Sequence, residues 1–182
     1  MTRYALFETA LGWAGLAWNQ AGLVVVRLPE ADEARARIAL LRREPDATPA
    51  EPPPGMAAVI SAIQDLLAGG RPDLSGAPLD LARTSDFNAR VYEVASAIPP
   101  GETLTYGEIA TRLGDRLLAR DVGQALGQNP WPIVVPCHRV TAAGGKLGGF
   151  SAPGGQSTKL KLLTIEGAAA AKVAIAQPGL FG

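Results

Sequence analysis

The chain has 182 residues, 17 basic and 17 acidic side chains, no formal net charge, and 47% hydrophobic residues, enough for one large domain or two small ones around a full core. One cysteine excludes an internal disulfide, and one histidine excludes a conventional Cys/His zinc site, so no metal or other cofactor is expected. No long uncharged apolar run suits a membrane span, and residues 1–9 lack the basic start and apolar core of a signal peptide; the expected compartment is the cytoplasm.

In chain order, residues 4–9, 11–18 and 23–28 are β-prone stretches separated by Gly12 and by a turn at residues 19–22, and they predict a meander. Residues 30–44 predict a helix with Ala34, Ile38 and Leu41 inward and the arginines solvated, stopped by Pro45. A proline-rich loop over residues 46–55 leads to a second helix at 56–68, with Val59, Ile60, Ile63, Leu66 and Leu67 inward and Gly69 and Gly70 as its stop. A short strand at 79–81 closes the sheet before a link at residues 82–85. None of this half carries recognisable chemistry, and Trp13 and Trp18 read as core.

The second half is predominantly helical. Residues 86–97 align Phe87, Val91, Val94, Ala95 and Ile98 on one stripe, ended by Pro99, Pro100 and Gly101. Thr105 and Glu108 have the spacing of a capping box, starting a helix to about Leu113. After a turn at Gly114 and Asp115, a further helix runs from about Arg116 to Leu126. Two short helices across a glycine-containing turn fit a helix-turn-helix, or an ordinary α-hairpin. Arg116 and Arg120, beside the small Ala119 and Gly123, suit close approach to DNA, including its minor groove. The slight charge asymmetry permits this: residues 1–85 carry 8 basic and 10 acidic groups, and residues 86–182 carry 9 and 7.

The connector Gln128, Asn129, Pro130, Trp131, Pro132 leads into an apolar, β-branched run at residues 133–140, predicted as a strand, which delivers Cys137, His138 and Arg139. The sole thiol and the sole imidazole stand side by side, and they are the candidate nucleophile and base. On a strand they would face opposite ways, so a direct contact needs a turn or a water relay. Glu166, at the end of a helix seated by Leu162, Leu163 and Ile165, is the candidate third member of an acid, imidazole and thiol series that lowers the thiol pKa. Arg139 is expected to brace the fold through a carboxylate.

The run Asn129, Pro130, Ile133, Val134, Val135, Pro136, Cys137, His138, Arg139, Val140, followed by Gly144 and Leu147, Gly148, Gly149, Phe150, resembles the O6-alkylguanine-DNA alkyltransferase family. The likeness extends upstream through Thr105, Tyr106, Ala110, Ala119, Arg120, Val122 and Gly123, and downstream through Lys159, Leu162, Leu163, Glu166 and Gly167, covering about residues 86–167.

That resemblance implies an α/β (α+β) protein with a ribonuclease-H-like small sheet and helices in residues 1–85. It implies a mostly helical, winged-helix-like DNA-binding domain in residues 86–182. It implies a helix-turn-helix in the minor groove of double-stranded DNA, extrusion of the damaged guanine, and in-line, single-turnover transfer of its methyl or alkyl group to Cys137 by a monomer; O4-alkylthymine is a further possible substrate. His138 is then the base acting through a water, Glu166 its orienter, and Asn129 the hinge between recognition helix and active-site strand. Tyr106 would bond the flipped base, Ser151 would donate near O6, and Val135, Phe150 and Lys159 would border the substrate. Arg116, Ala119, Arg120, Gly123, Gly127 and Gln128 would face DNA. The arginine that in many family members fills the gap left by the flipped nucleotide is matched here to Gly127, so its role either passes to Gln128 or is weaker. The loop from Phe150 to Lys159, with Ala152, Pro153, Gly154 and Gly155, is about two residues longer than in the best-known members.

Overall fold

A computed structural model describes residues 1–152 and 154–176. It divides into two compact units, one of Met1–Arg83 with Pro130–Val134, the other of Thr84–Asn129 with Val135–Gly182. Residues 130–134, expected in the second domain, pack with the first unit.

The first unit is a four-stranded sheet. Strands β1 (Arg3–Thr9), β2 (Gly12–Trp18) and β3 (Leu23–Glu30) form the antiparallel meander, and the two-residue β4 (Thr48–Pro49) pairs parallel to β1, giving the order β3-β2-β1-β4. The turn before β3 is organised by Asn19, whose side-chain oxygen accepts from the backbone N–H groups of Ala21 and Gly22. β2 lies between two strands with its last five residues buried, so it reads as a continuous small and apolar run rather than an alternating one. A Cβ on Gly15 would lie 2.9 Å from the terminal methyls of both Leu40 and Leu6, so a side chain here would push both leucines aside.

That helix, α1 (Glu33–Leu41), is capped by Asp32, and it packs on β2 and β3 through Ala36 and Leu40. Of the predicted stripe only Leu41 packs against the core, partly buried; Ala34 and Ile38 point to water, Ile38 being 54% exposed. Apolar residues occur all round this helix, and the sheet selects the 36–40 line. α2 (Pro54–Leu67) has proline in its first turn, where a missing N–H costs nothing, and buries Met56, Val59, Ile63, Leu66 and Leu67. The strand expected at 79–81 is a single bridge from Leu79 to Leu23, followed by a 3-10 turn at Leu81–Arg83. Residues 78–80 and Pro130 instead supply backbone bonds to the open edge of β3, and the indole N–H of Trp131 donates to the Leu23 carbonyl at 2.8 Å.

The second unit is mostly helical: α3 (Asp86–Ser96), α4 (Tyr106–Arg112), α5 (Ala119–Gly127), α6 (Gly155–Ile165) and α7 (Ala169–Ala176), with a two-stranded parallel pair of β5 (Leu104–Thr105) and β6 (Val140–Thr141). Both halves of the Thr105/Glu108 capping box are formed. The helix expected from Arg116 begins as a 3-10 turn, Arg116–Leu118, held by Asp115, and becomes α-helical at Ala119. No helix among the described residues is long and apolar enough to cross a membrane. Pro153 of the longer loop lies outside the described residues.

Candidate active site

The strand predicted over residues 133–140 does not form. Ile133 takes φ +76°, rare for a β-branched residue, and Cys137–Arg139 is a 3-10 turn whose Arg139 N–H bonds the Pro136 carbonyl. The turn frees thiol and imidazole from the strict alternation of a strand. Half-buried Cys137 lines an open pocket of about 280 Å³ with Gly123, Leu126, Gly127, Gly149, Phe150 and Ser151. Four of the expected residues besides Cys137 meet there: Gly123, Gly127, Phe150 and Ser151. Leu126 and Gly149 join them; Gly149 belongs to the family motif but has no expected role there, and Leu126 marks only a helix end in the sequence.

Behind the pocket stands a buried network. His138 Nε2 lies 2.7 Å from Glu166 Oε1, both residues almost inaccessible to water. Arg139 Nη2 donates to the same oxygen at 2.8 Å, its Nε donates to Oε2 at 3.0 Å, and its Nη1 donates to the Ile98 carbonyl at 2.6 Å. Arg139 is therefore the brace expected of it. His138 Nδ1 is buried and has no protein partner among the described residues. Burial pushes the imidazole pKa down against the opposing pull of Glu166, favouring the neutral ring. Burial also pushes the Glu166 carboxyl up, but hydrogen bonds and charges from His138 and Arg139 hold it at about 2. The thiol departs from expectation: burial raises its pKa, outweighing the Asn129 hydrogen bond and the Lys159 charge that lower it. Both shifts oppose a preformed thiolate–imidazolium pair.

The remaining expected residues separate into supports and surface groups. Asn129 Nδ2 donates to the Val135 carbonyl at 2.8 Å, so Val135 acts here through its backbone and, fully buried, is not among the pocket-lining residues. Lys159 is also buried: its Nζ donates to the carbonyls of Val140 and Gly149 and sits 5.8 Å from the centre of the Tyr106 ring. Burial brings its pKa down to about 8, against the opposing effect of Cys137. Half-buried Tyr106 donates to the Gly149 carbonyl at 3.4 Å, and its ring lies where a Cβ on Gly123 would touch it at 3.8 Å. The hydroxyl of Ser151 donates to the Gly127 carbonyl at 2.9 Å.

Arg116, Arg120, Gly127 and Gln128 are exposed, and Ala119 is half-buried. Gln128 follows the last turn of α5, and its side-chain oxygen accepts from Asn88 Nδ2 at 3.0 Å. One turn along α3, buried Tyr92 donates to the Ala125 carbonyl at 2.7 Å. Sequence reasoning missed Asn88 and Tyr92, whose partners are 40 and 33 residues away. Among the described residues no three of His, Cys, Asp and Glu stand close enough to hold a metal ion.

Residues 86–168 match the family described as 6-O-methylguanine DNA methyltransferase, DNA binding domain. A methylated-DNA–protein-cysteine methyltransferase of Mycobacterium tuberculosis is 37% identical over 91% of this chain and 93% of its own. The chain belongs to the methylated-DNA–protein-cysteine methyltransferase family. A crystal structure of the M. tuberculosis O6-methylguanine methyltransferase superposes with a TM-score of 0.71 at 34% identity, covering 92% of this chain and 93% of that one. The same organism's protein in complex with DNA gives 0.70 at 32% identity, over 94% and 98%. A DNA base-flipping protein of Thermus thermophilus is 44% identical over 60% of this chain and 72% of its own. Membership of this family accounts for the α/β first unit and the helical DNA-binding second unit.

Proposed function

We propose that the protein reverses alkylation damage in DNA directly, moving a methyl or larger alkyl group from O6 of guanine to Sγ of Cys137. The observation that carries this reading is the chain's only cysteine in an open pocket, with the His138–Glu166 pair in the next residue's shell. A family chemistry that ends on cysteine has no other acceptor in this chain.

His138 takes the thiol proton at Nδ1 through a water, while Glu166 and Arg139 hold the ring by Nε2 and stabilise the charge it gains. Because burial disfavours a free thiolate, ionisation is tied to this transfer and to the nearby Lys159 ammonium. The sulfur then attacks the alkyl carbon in line with the C–O6 bond. A new S–C bond forms, the C–O6 bond breaks, and its electron pair leaves with the guanine, where the Tyr106 hydroxyl balances the charge. The thioether is not hydrolysed by such a site, so each chain reacts once.

O6 of a paired guanine lies inside the duplex, so the nucleotide has to leave the stack. α4, the Arg116–Leu118 turn and α5 act as the helix-turn-helix in the minor groove, with Gly123 and Gly127 permitting close approach of the backbone. Arg120, rather than Gln128, is the residue suited to fill the gap. It shares the 120–123–127 face of α5 with two pocket-lining glycines, whereas the Gln128 amide is engaged by Asn88.

Intact mass measured after incubation with duplex O6-methylguanine DNA tests the proposal. One methyl group gained per chain, on the Cys137 peptide, is expected. DNA binding with no gain would make the protein a base-flipping binder, and repeated turnover would make it a hydrolase.

A further inference from the structure

The line of α5 that carries the pocket glycines Gly123 and Gly127 runs on through Arg120. Gly127, Gly123 and Arg120 recur every three or four residues, and one more step of three reaches Leu117 in the preceding 3-10 turn. Leu117 is 87% exposed, against 61% for Ile175, the next most exposed leucine, isoleucine or valine among the described residues. The segment carrying it is tied down, because the Leu117 N–H donates to Asp115 Oδ1 at 2.8 Å and the Leu118 N–H donates to the Asp115 carbonyl at 3.1 Å. Arg116 and Arg120 are exposed on either side of it. Nothing among the described residues covers this leucine, which stands in water between two cations. The wall of a DNA minor groove offers the complement: apolar deoxyribose faces bordered by phosphates.

We propose that Leu117 packs against deoxyribose of the duplex backbone, forming the apolar part of an interface whose charge comes from Arg116 and Arg120. The inference rests on the DNA-repair reading above, and its own content is that part of the duplex affinity is salt-independent and comes from one side chain. Removing an apolar contact releases no counterion, whereas removing an arginine that touches phosphate does.

Equilibrium binding of the full chain to an undamaged duplex, measured across a salt series, separates the two contributions. Leu117→Ala is expected to weaken binding about fivefold at every salt concentration without changing the slope of log affinity against log salt. Leu117→Met is expected to keep wild-type affinity, and Arg116→Ala to flatten the slope by about 0.9. The rate with free O6-benzylguanine, which needs no duplex, is expected to be unchanged in Leu117→Ala. Wild-type duplex affinity in Leu117→Ala, a changed salt slope, or an equal loss on the free base would each overturn the inference and leave the repair reading standing. Absence of duplex binding by the unaltered protein would overturn both.

Discussion

The two units bury different things. Among the described residues, no charged residue of Met1–Arg83 is buried as a whole, only the Nε of Arg27 being hidden, and that unit is held by the apolar faces of its sheet and two helices. The second unit hides His138, Arg139, Lys159 and Glu166, each at 5% exposure or less. Buried charges are costly unless paired and fully hydrogen-bonded, and replacing such a group by apolar residues often leaves a protein no less stable. Three of these four form one network around Glu166; the fourth, Lys159, is bound by two carbonyls under the Tyr106 ring. The contrast locates the chemistry: only the second unit retains charges that packing alone would not require.

Changes at the reacting atom should have the largest effect. Cys137→Ser is expected to abolish alkyl transfer, because a hydroxyl of far higher pKa is not ionised by this imidazole, while duplex binding persists. Single-turnover transfer and equilibrium binding measure the two halves, and residual transfer in the serine variant would place the acceptor elsewhere.

Glu166→Gln comes next, since it leaves the Arg139 guanidinium buried without its counter-charge. We expect a loss of about 3–5 kcal/mol in unfolding free energy, together with slowed transfer. The pH dependence sharpens the test. Glu166 titrates near 2 in the fold against an ordinary 4.5, so its stabilisation is complete above 4.5 and disappears as pH falls towards 2. His138 acts in the same direction at higher pH: its lowered pKa means that the unfolded chain takes up a proton the native site resists, so stability also declines as pH falls below 6.5. Thermal melts between pH 7 and pH 3 should show a steep acid loss in the wild type and a flatter one in Glu166→Gln. Parallel curves would remove Glu166 from the acid transition.

At the surface of the second unit the expected effects are kinetic and smaller. Arg120→Ala should slow repair of O6-methylguanine in duplex DNA about tenfold or more, since extrusion costs a few kcal/mol and a side chain in the vacancy offsets part of it. Gln128→Ala should slow it less, through loss of the Asn88 tie. Neither should alter the rate with free O6-benzylguanine. A larger duplex effect at Gln128 than at Arg120 would reverse the assignment.

What could be read from the sequence was local or chemically singular. The Thr105/Glu108 box and the turn at Asn19 involve residues within three positions of each other, so their spacing suffices. Cys137 and His138 stand out because each is the only residue of its type, and Glu166 because the family pattern extends to it. Local periodicity does not reveal the positive φ at Ile133, which breaks a run that otherwise reads as a strand. Nor does it reveal the burial of Lys159, or the tie from Asn88 and Tyr92 to the end of α5, which depend on partners 10 to 40 residues away. Motif matching placed the gap-filling role at the end of α5; which face of the helix carries the pocket glycines became evident only in three dimensions.

The smallest expected effect, at Ile38, tests the first unit, where sequence and structure disagree about which side of α1 faces the sheet. Periodicity placed Ile38 inward; the structure leaves it 54% exposed and buries Leu40 completely against the sheet, beside Tyr4, Ala17 and Val25. If area alone holds this unit, exposure should rank the two positions. Leu40→Ala removes fully buried methyl groups and opens a cavity, with an expected cost of about 2–5 kcal/mol. Ile38→Glu removes apolar surface that water already reaches and adds a charge on a face carrying Arg35 and Arg37, so a change within about 0.5 kcal/mol is expected. Denaturant unfolding of the full chain with each substitution decides between the two registers. A cost at Ile38 comparable to that at Leu40 would show that the helix presents the predicted face after all.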